Sequence, residues 1–335
     1  MGKLATKALK EMLRCIKTNK KIVVPPAAGF DSGVHKIDDD RLMVVTTDPC
    51  LGVPQQWFGW FLIHYAASDL AVFGVKPEYA AVNLLGPPKT SVTVFKRIMQ
   101  QACRTADELG VNIITGHTGT YGELSSIVGT CTAYGFVHKS KLITPAGAKP
   151  KDRIICVKPI GLETLINFAL MHQKEAIKLF GTKKTTQFKS KIKMQTCVNE
   201  AILLSKVGGV HAMHDATEGG FVAALNEIAD ASNLGFPIDF ARLPITKELQ
   251  TLARHFGLSQ KQLMSASSTG TLLAAVSPEK EDQIHEALAQ QKTLAKTIGS
   301  FTKNKARKIK YNGKTEKFPS QPDDPYSEIM SIQPS

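Results

Sequence analysis

The chain of 335 residues lacks the features that define several protein classes. No apolar run is long enough to span a bilayer, so we expect no membrane partner. The cysteines form no CxxC pair, which argues against a zinc knot or a secreted disulfide scaffold and favours reduced, mostly buried thiols. The six cysteines lie at positions 15, 50, 103, 131, 156 and 197. Residues 1–21 contain no apolar signal core and alternate apolar and basic residues at helical spacing, which predicts a helix of a cytoplasmic protein.

Acidic residues are fewer than basic residues. Lysine and arginine number 42 against 29 aspartates and glutamates, a formal net charge of +13. The basic residues concentrate in two runs, 174–193 and 303–317. Because these runs carry few aromatic side chains that could stack on bases, we favour a solvated surface or an attraction for phosphate-bearing substrates over nucleic-acid binding.

The composition is otherwise that of an ordinary globular protein, with 43% hydrophobic and 21% charged residues. A chain of this length is expected to form two domains. The connection at residues 145–151 is where we place the boundary. The predicted domains are therefore residues 1–147 and 148–335.

The most informative stretch is 44–77. A short β-branched run leads to Asp48, and a long apolar helical segment from about Trp57 to Phe73 follows. A single acid, Asp69, is embedded in that segment. Burial of an unpaired carboxylate is expensive, so we expect a cation or a strong hydrogen-bond donor beside it. Two aspartates, one at a strand end and one on a buried helix, indicate a metal or phosphate site.

Three glycine-containing turns are candidates for phosphate binding. The first contains Gly29 and Asp31, although a plain hairpin would have the same pattern. The second is a polar segment, 115–122, which follows an apolar strand, and its His117 is either a ligand or proton carrier or a hydrogen-bonded loop histidine. The third is the segment Asp215-Ala216-Thr217-Glu218-Gly219-Gly220, which enters a predicted helix over 222–231. Free N–H groups at a helix start attract anions, although Asp215 and Glu218 could equally serve only as a helix cap and capping box.

These segments, in this order, resemble the aminoimidazole-ribonucleotide (AIR) synthetase superfamily. Its members include hydrogenase maturation proteins of the HypE type, selenophosphate synthetase and thiamine-monophosphate kinase. The resemblance runs from about residue 20 to residue 300 and is nearest to HypE-like, AIR synthase-related proteins. The matching segments are Gly29-Phe30-Asp31-Ser32, Thr46-Thr47-Asp48-Pro49, Ser68-Asp69-Leu70-Ala71 with Gly74 and Pro77, Gly116-His117-Thr118, Asp215 to Gly220, and Gly270-Thr271-Leu272-Leu273.

The resemblance implies a PurM-like two-domain fold. The N-terminal α/β domain would pair with a second copy to form a β-barrel at a homodimer interface. The C-terminal domain would be an α+β sandwich, with ATP bound in the cleft between the domains.

The resemblance also implies the site residues and the cofactors, ATP and Mg²⁺. Asp31, Asp48 and Asp69 would hold the metal, a role that suits a cation preferring a few carboxylates plus phosphate oxygens. Asp48, His117 and Asp215 would be catalytic. The residues expected to bind the nucleotide are Gly29, Asp31, Asp69, Gly116, Thr118, Thr217, Glu218, Gly219 and Gly220. The shared chemistry is transfer or release of the γ-phosphate.

Three departures from the family bear on function. Phe30 stands where many members have an acid, and His117 stands where the kinases and HypE have an aspartate. The sequence has no cysteine after Cys197, whereas HypE carries its carbamoyl and cyano groups on a C-terminal cysteine. We therefore expect that the cyanide-forming step does not proceed on this chain in the usual way.

The principal hypothesis is a Mg-ATP-dependent enzyme that phosphorylates or dehydrates a small molecule. One alternative is a non-catalytic nucleotide-binding maturation or assembly factor that works with a partner protein. A second alternative is a kinase similar to thiamine-monophosphate kinase, against which His117 counts. A basic nucleic-acid-binding protein is the least favoured hypothesis.

Overall fold

The computed structural model describes residues 6–332, and the chain divides into two compact units. One unit comprises residues 12–142, and the other comprises residues 143–332 together with residues 6–11. The first helix, α1 (Thr6–Leu13), covers part of the predicted N-terminal helix, and the remainder before Thr6 lies outside the described residues. No helix within residues 6–332 combines the length and apolarity needed to cross a bilayer.

The first unit is an α/β structure built on a six-stranded sheet. Its strand order is β1-β2-β3-β6-β4-β5, in which β4 and β5 are parallel and the other neighbours are antiparallel. The strands are β1 (Ile22–Val24), β2 (Gly33–Lys36), β3 (Arg41–Cys50), β4 (Tyr79–Gly86), β5 (Asn112–Thr120) and β6 (Val128–His138), and the helices are α2 (Phe58–Ala71) and α3 (Val92–Leu109).

Helices α2 and α3 pack against each other on one side of this sheet. Gly59 permits their close approach, because a Cβ atom there would lie 2.2 Å from the carbonyl oxygen of Ile98. Helix α3 has the bounds that its apolar periodicity predicts and ends at Gly110, whose φ of 70° is the left-handed conformation typical of a helix C-terminus. The buried helix α2 places Asp69 next to strand β3.

The polar segment at 115–122 is mostly strand rather than the predicted loop. Residues up to Thr120 continue β5, and Gly116 pairs with Val82 of β4. A Cβ atom at position 116 would lie 2.1 Å from the Val82 carbonyl oxygen. The glycine therefore allows the two backbones to approach closely, and the β4 ladder supplies hydrogen-bond partners that the local sequence does not reveal.

The second unit combines a seven-stranded sheet with nine helices among its described residues. The strand order is β13-β12-β9-β11-β7-β10-β8, in which only β9 and β12 are parallel neighbours. The strands are β7 (Arg153–Val157), β8 (Val210–Asp215), β9 (Phe236–Asp239), β10 (Leu272–Val276), β11 (Ala295–Ser300), β12 (Arg307–Tyr311) and β13 (Lys314–Lys317). The helices are α4 (Leu162–Met171), α5 (Gln173–Phe180), α6 (Thr182–Ser190), α7 (Val198–Val207), α8 (Gly220–Ala231), α9 (Lys247–His255), α10 (Gln260–Ser265), α11 (Glu281–Gln290) and α12 (Tyr326–Met330).

The core of the second unit lies around the central strands β7 and β10. All five residues of β10 are buried, as are the last four of β7, so both faces of the sheet are covered here. Phe168, Phe221 and Phe236 are fully buried in this core. Four of the six cysteines are buried and all six are free thiols, in agreement with the sequence prediction.

Candidate functional site

The carboxylate of Asp69, in the first unit, accepts a hydrogen bond from a strong donor, as the sequence predicts for an acid on an apolar helix. The hydroxyl of Thr46, on strand β3, lies 2.7 Å from the Asp69 Oδ2 atom. The same hydroxyl lies 2.8 Å from the backbone carbonyl oxygen of Asp31, so its single proton is shared between two acceptors or donated to one at a time. Thr46 is only 4% exposed, which keeps this hydrogen bond away from competing water.

The segment that carries Asp31 is fastened to the same helix. The Ser32 hydroxyl donates to the backbone carbonyl oxygen of Asp69 at 3.1 Å. Gly29, two residues before Asp31, has a φ of 83°, a conformation that glycine adopts without steric cost. The turn at Gly29 therefore connects β1 to β2, and the segment that follows it lies against helix α2 at Ser32.

Asp48 joins this cluster from strand β3. It lies within the strand rather than at its end, because β3 continues to Cys50. Asp48 is two residues beyond Thr46, so both side chains lie on the helix-covered face of the sheet. It pairs with Cys131 of β6.

The buried thiol of Cys131 is affected by two acids of this unit. Burial, reinforced by the negative charges of Asp48 and Asp69, raises the pKa of Cys131 to about 12. The thiol is therefore neutral at physiological pH.

The three acids together suit a hard divalent cation. Carboxylate oxygens from a loop, a strand and a helix are the ligands that Mg²⁺ takes when phosphate oxygens and water complete its coordination. Each acid comes from a different element, and Thr46 and Ser32 link those elements. We therefore describe Asp31, Asp48 and Asp69 as the carboxylate cluster.

Gly116, His117 and Thr118 lie apart from the carboxylate cluster. They are exposed on the edge strand β5, which β4 and β6 separate from β3, a distance of about 14 Å at the usual strand spacing. His117 pairs with the exposed Asn83, whereas Thr118 pairs with the buried Leu84. His117 therefore lies on the opposite face of the sheet from the cluster, and its Nε2 atom is 2.8 Å from the Tyr121 hydroxyl.

In the second unit the predicted anion-binding turn follows strand β8. Asp215 ends that strand and is 3% exposed. The carbonyl oxygen of Thr217 accepts hydrogen bonds from the backbone N–H groups of Gly220 and Ser268, which fixes the turn against the segment after α10. Glu218 is exposed at its tip.

Two successive glycines begin helix α8. Gly219 and Gly220 have φ values of 75° and 54°, and a Cβ atom at position 220 would lie 2.5 Å from the carbonyl oxygen of Ala266. Gly219, which has no side chain, is the N-cap residue. The alternative in which Asp215 and Glu218 form a cap and capping box is therefore wrong.

The carboxylate of Asp324 takes the place of a capping-box side chain, because it accepts a hydrogen bond from the N–H group of the N-cap residue. Its Oδ2 atom accepts a hydrogen bond from the Gly219 N–H at 2.8 Å and from the Ser267 hydroxyl at 2.6 Å. Its Oδ1 atom accepts from the N–H groups of Ser267 and Tyr326. An N–H group that the sequence offered to a bound anion is thus engaged by the chain's own C-terminal segment.

Glu163 is a second partly buried acid that sequence reasoning missed. Its Oε2 atom accepts hydrogen bonds from the Thr269 hydroxyl at 2.6 Å and from the Thr269 N–H at 3.2 Å. Burial raises the pKa of Glu163 to about 7, and the negative charges of Asp324 and Glu218 add to that effect. An acid in the first turn of a strongly apolar helix was the available signal, whereas nothing local pointed to Asp324.

Comparison with known proteins gives the family. The N-terminal domain of AIR synthase related protein matches residues 29–137, and its C-terminal domain matches residues 149–312. Carbamoyl dehydratase HypE of Cupriavidus necator is 25% identical over 78% of this chain and 72% of its own length. Selenide, water dikinase of Carboxydothermus hydrogenoformans is 26% identical over 91% of this chain and 94% of its own length.

Solved structures have the same fold. The hydrogenase maturation protein HypE of Escherichia coli superposes with a TM-score of 0.74 at 20% identity, over 86% of this chain and 88% of that one. HypE in complex with ATP superposes with a TM-score of 0.70 at 17% identity, over 87% and 89%. A complex of HypE with HypF superposes with a TM-score of 0.68 at 17% identity, over 86% and 93%. The predicted PurM-like two-domain fold is confirmed, and this chain belongs to the AIR synthase related protein family.

Proposed function

We propose that this protein binds Mg-ATP through the carboxylate cluster and uses it to phosphorylate or dehydrate a small molecule. The observation that carries the proposal is the link of the Asp31 backbone and the Asp69 carboxylate through the Thr46 hydroxyl, two residues before Asp48 on strand β3. The proposal is supported by relatives named carbamoyl dehydratase and selenide, water dikinase, and by the solved complex of HypE with ATP.

Each residue of the cluster has a distinct task in this proposal. The three carboxylates hold a magnesium ion, which neutralises charge on the phosphate oxygens. The Thr46 hydroxyl directs the Asp69 carboxylate, and the Ser32 hydroxyl keeps the segment of Asp31 against helix α2. Gly116 and Thr118, on the helix-covered face of β5, remain candidates for nucleotide contacts. His117 is assigned no task with them, because it lies on the other face.

In the second unit we propose Asp215, Thr217 and Glu218 as further nucleotide-site residues. Asp215 ends strand β8 at the edge of the seven-stranded sheet, and the turn after it is held by hydrogen bonds from the Ser268 N–H group and to the Asp324 carboxylate. A fixed turn suits catalysis, because groups that need no rearrangement stabilise a transition state best. Asp215 would be the catalytic acid of this unit.

We further propose a homodimer. The sheet face opposite α2 and α3 carries Tyr79, Tyr134 and Phe136 in mutual contact, with the Tyr79 and Tyr134 rings 5.2 Å apart and the Phe136 side chain 38% exposed. Aromatic side chains clustered on an accessible sheet face are typical of protein interfaces. A cytoplasmic location accords with the six free thiols.

A non-catalytic maturation factor is the second candidate. It is favoured by Phe30 in place of a family acid and by the position of His117 on the outer face of the sheet. The solved complex of HypE with HypF shows that HypE assembles with a protein partner. In this case ATP would bind without being hydrolysed, and a partner protein would bind selectively to the ATP-bound form.

Isothermal titration calorimetry with ATP, with and without magnesium, tests the proposal. We expect magnesium-dependent binding that Asp48→Asn and Asp69→Asn each weaken about tenfold or more, which is roughly 1.4 kcal/mol or more. Asp38→Asn is the matched control, because Asp38 is an exposed acid of the same unit that pairs with Arg41. Binding that is equally strong without magnesium, or equally affected by all three variants, would overturn the metal assignment.

ADP formation separates the two candidates. An enzyme forms ADP in the presence of its substrate, whether the γ-phosphate is transferred to the substrate or released as phosphate, and a screen of small carboxylates, carbamoyl compounds and phosphate esters is the appropriate search. Tight magnesium-dependent binding with no ADP formation in any such mixture, together with capture of a partner only in the ATP-bound state, would favour the maturation factor.

A further inference from the structure

The basic run at 303–317 folds into a loop and a hairpin, and several of its lysines lie on one face of the hairpin. Strands β12 and β13 pair with Lys308 opposite Lys317 and Lys310 opposite Thr315. Ile309, between the two lysines, is buried in the core. Lys308, Lys310 and Lys317 therefore share the solvent face of the hairpin.

This face borders a groove across the second unit. One cavity of about 610 Å³ is lined by Lys151, Arg153 and Lys303, and a second of about 410 Å³ is lined by Arg242, Lys308 and Lys310. Arg153 and Ser300 line both cavities, so the two cavities are neighbours on one surface. We name this surface the basic groove and define it by those six cationic residues. The one carboxylate among its lining residues is that of Asp239.

Little in the chain neutralises these charges. Asp239 already accepts a hydrogen bond from the Ala241 N–H at 3.0 Å. Arg153 pairs with Glu281 at 2.9 Å, whereas the ion pairs among residues 6–332 include none from Arg242, Lys308 or Lys310. Like charges directly opposite each other across a hairpin are destabilising. Lys308 and Lys317 are such a pair, and a bound anion would offset their electrostatic repulsion.

The length of the groove indicates an extended anion. Arg153 is on β7 and Lys308 is on β12, with β11 and β9 between them. Three strand spacings correspond to about 14 Å. A single phosphate group cannot contact both ends, whereas a chain of phosphates can.

The floor of the groove indicates which polyanion is suited to it. Its large apolar lining residues, Ile238, Ile298 and Phe301, are at most 3% exposed. Among its lining residues no exposed side chain is aromatic, and aromatic side chains are the usual anchors at the centre of a protein interface. The phosphate backbone of a nucleic acid needs only cations.

We propose that the basic groove binds a nucleic-acid strand through its phosphate backbone, independently of base sequence. This site goes beyond the proposed nucleotide function. All six cations of the groove belong to the second unit, whereas the carboxylate cluster belongs to the first unit. The few aromatic residues of the run, which made nucleic-acid binding the least favoured hypothesis from the sequence, exclude base stacking but not backbone binding. The arrangement of the cations is what the composition could not show.

The test is fluorescence anisotropy of the full chain with a labelled 20-nucleotide single strand of mixed sequence, titrated between 50 and 200 mM salt. With about five phosphate contacts, the logarithm of the association constant should fall with the logarithm of the salt concentration at a slope of roughly −3.5. Lys308→Glu/Lys310→Glu should weaken binding at least tenfold and reduce the slope by about 1.4, the share of two contacts.

Two controls make the outcome decisive. Lys183→Glu/Lys191→Glu, on exposed positions of the other basic run, changes the net charge equally and should leave binding within about twofold of the parent chain, since Lys183 and Lys191 line neither cavity. Equal weakening by both double variants would overturn the proposal in favour of general charge attraction. Competition by polyglutamate of equal charge as effective as that by unlabelled strand would point to an acidic protein and overturn it as well.

ATP separates this site from the proposed nucleotide site. Saturating Mg-ATP should leave strand binding unchanged, and Asp48→Asn should do the same. Displacement by ATP would mean that the strand occupies the nucleotide site, and it would overturn the groove assignment while leaving the nucleotide site intact. Thermal unfolding of each double variant confirms that a loss of binding is not a loss of fold.

Discussion

The hydroxyl of Thr46 lies 2.7 Å from the carboxylate of Asp69, and this contact joins the central strand β3 to the buried helix α2. The same hydroxyl reaches the carbonyl oxygen of Asp31. A neutral side chain that would chelate no metal thus links two of the three proposed metal ligands. Its role is to position them.

Thr46→Val tests this positioning role. The substitution keeps the shape of the side chain and removes the donor, so the free energy of unfolding should fall by about 1–3 kcal/mol and magnesium-dependent ATP binding should weaken several-fold. Thr46→Ser restores the hydroxyl and should recover most of both losses. Urea unfolding and calorimetry measure the two effects. Unchanged binding in a folded Thr46→Val protein would contradict the role.

Glu163 should make stability depend on pH in a defined window. Its pKa is about 7 in the folded protein against an ordinary value of 4.5, so the folded state holds a proton that the unfolded state releases. Stability from this group is therefore fully present below about pH 4.5, falls as the pH rises, and levels off above about pH 7. The difference between the two pKa values corresponds to up to roughly 3 kcal/mol.

Glu163→Gln isolates that contribution, because the amide oxygen can still accept the Thr269 hydrogen bonds but does not ionise. The unfolding free energy of the variant relative to the parent chain should rise by up to about 3 kcal/mol between pH 4.5 and pH 8. Urea unfolding at several pH values gives the comparison. Parallel pH profiles for the two proteins would show that Glu163 is already ionised at low pH.

Lys158 and Glu200 form a buried ion pair that should be costly to break. Their charged atoms are 2.8 Å apart, and the Lys158 Nζ atom also donates to the carbonyl oxygen of Thr196 at 2.6 Å. Lys158→Met leaves the Glu200 charge buried, and we expect a loss of about 3–5 kcal/mol in unfolding free energy.

Two further variants control this prediction. Lys158→Met/Glu200→Leu removes both charges and should recover more than half of the loss. Lys184→Met removes a more exposed pair with Glu248, also 2.8 Å apart, and should cost less than about 1 kcal/mol. Chemical denaturation compares all three. Similar losses for Lys158→Met and Lys184→Met would show that burial does not strengthen the first pair.

Local sequence patterns were sufficient for several elements. Helix α3 follows from its apolar spacing and the glycine at 110, and the need of Asp69 for a strong donor follows from its apolar surroundings. The glycine turn before α8 was recognisable because only glycine adopts two successive positive φ angles without strain. For the helix and the turn, the governing interactions lie within a few residues.

Long-range packing decided what the sequence did not reveal. Residues 115–120 became strand because β4 offers a complete hydrogen-bond ladder, and the resulting alternation placed His117 on the face opposite Asp48. Asp324 reaches Gly219 across 105 positions, and Glu163 reaches Thr269 across 106.

The motifs could therefore be recognised from the sequence alone, whereas the residues that contact them in the folded protein could not. A turn or a helix end depends on the backbone preferences of adjacent residues, which the sequence states directly. A contact such as that of Thr46 with Asp69, or the gathering of Arg153, Arg242 and Lys308 along one groove, depends on which strands become neighbours in the folded sheets. Strand order is set by the burial of the whole core, and no local pattern encodes it.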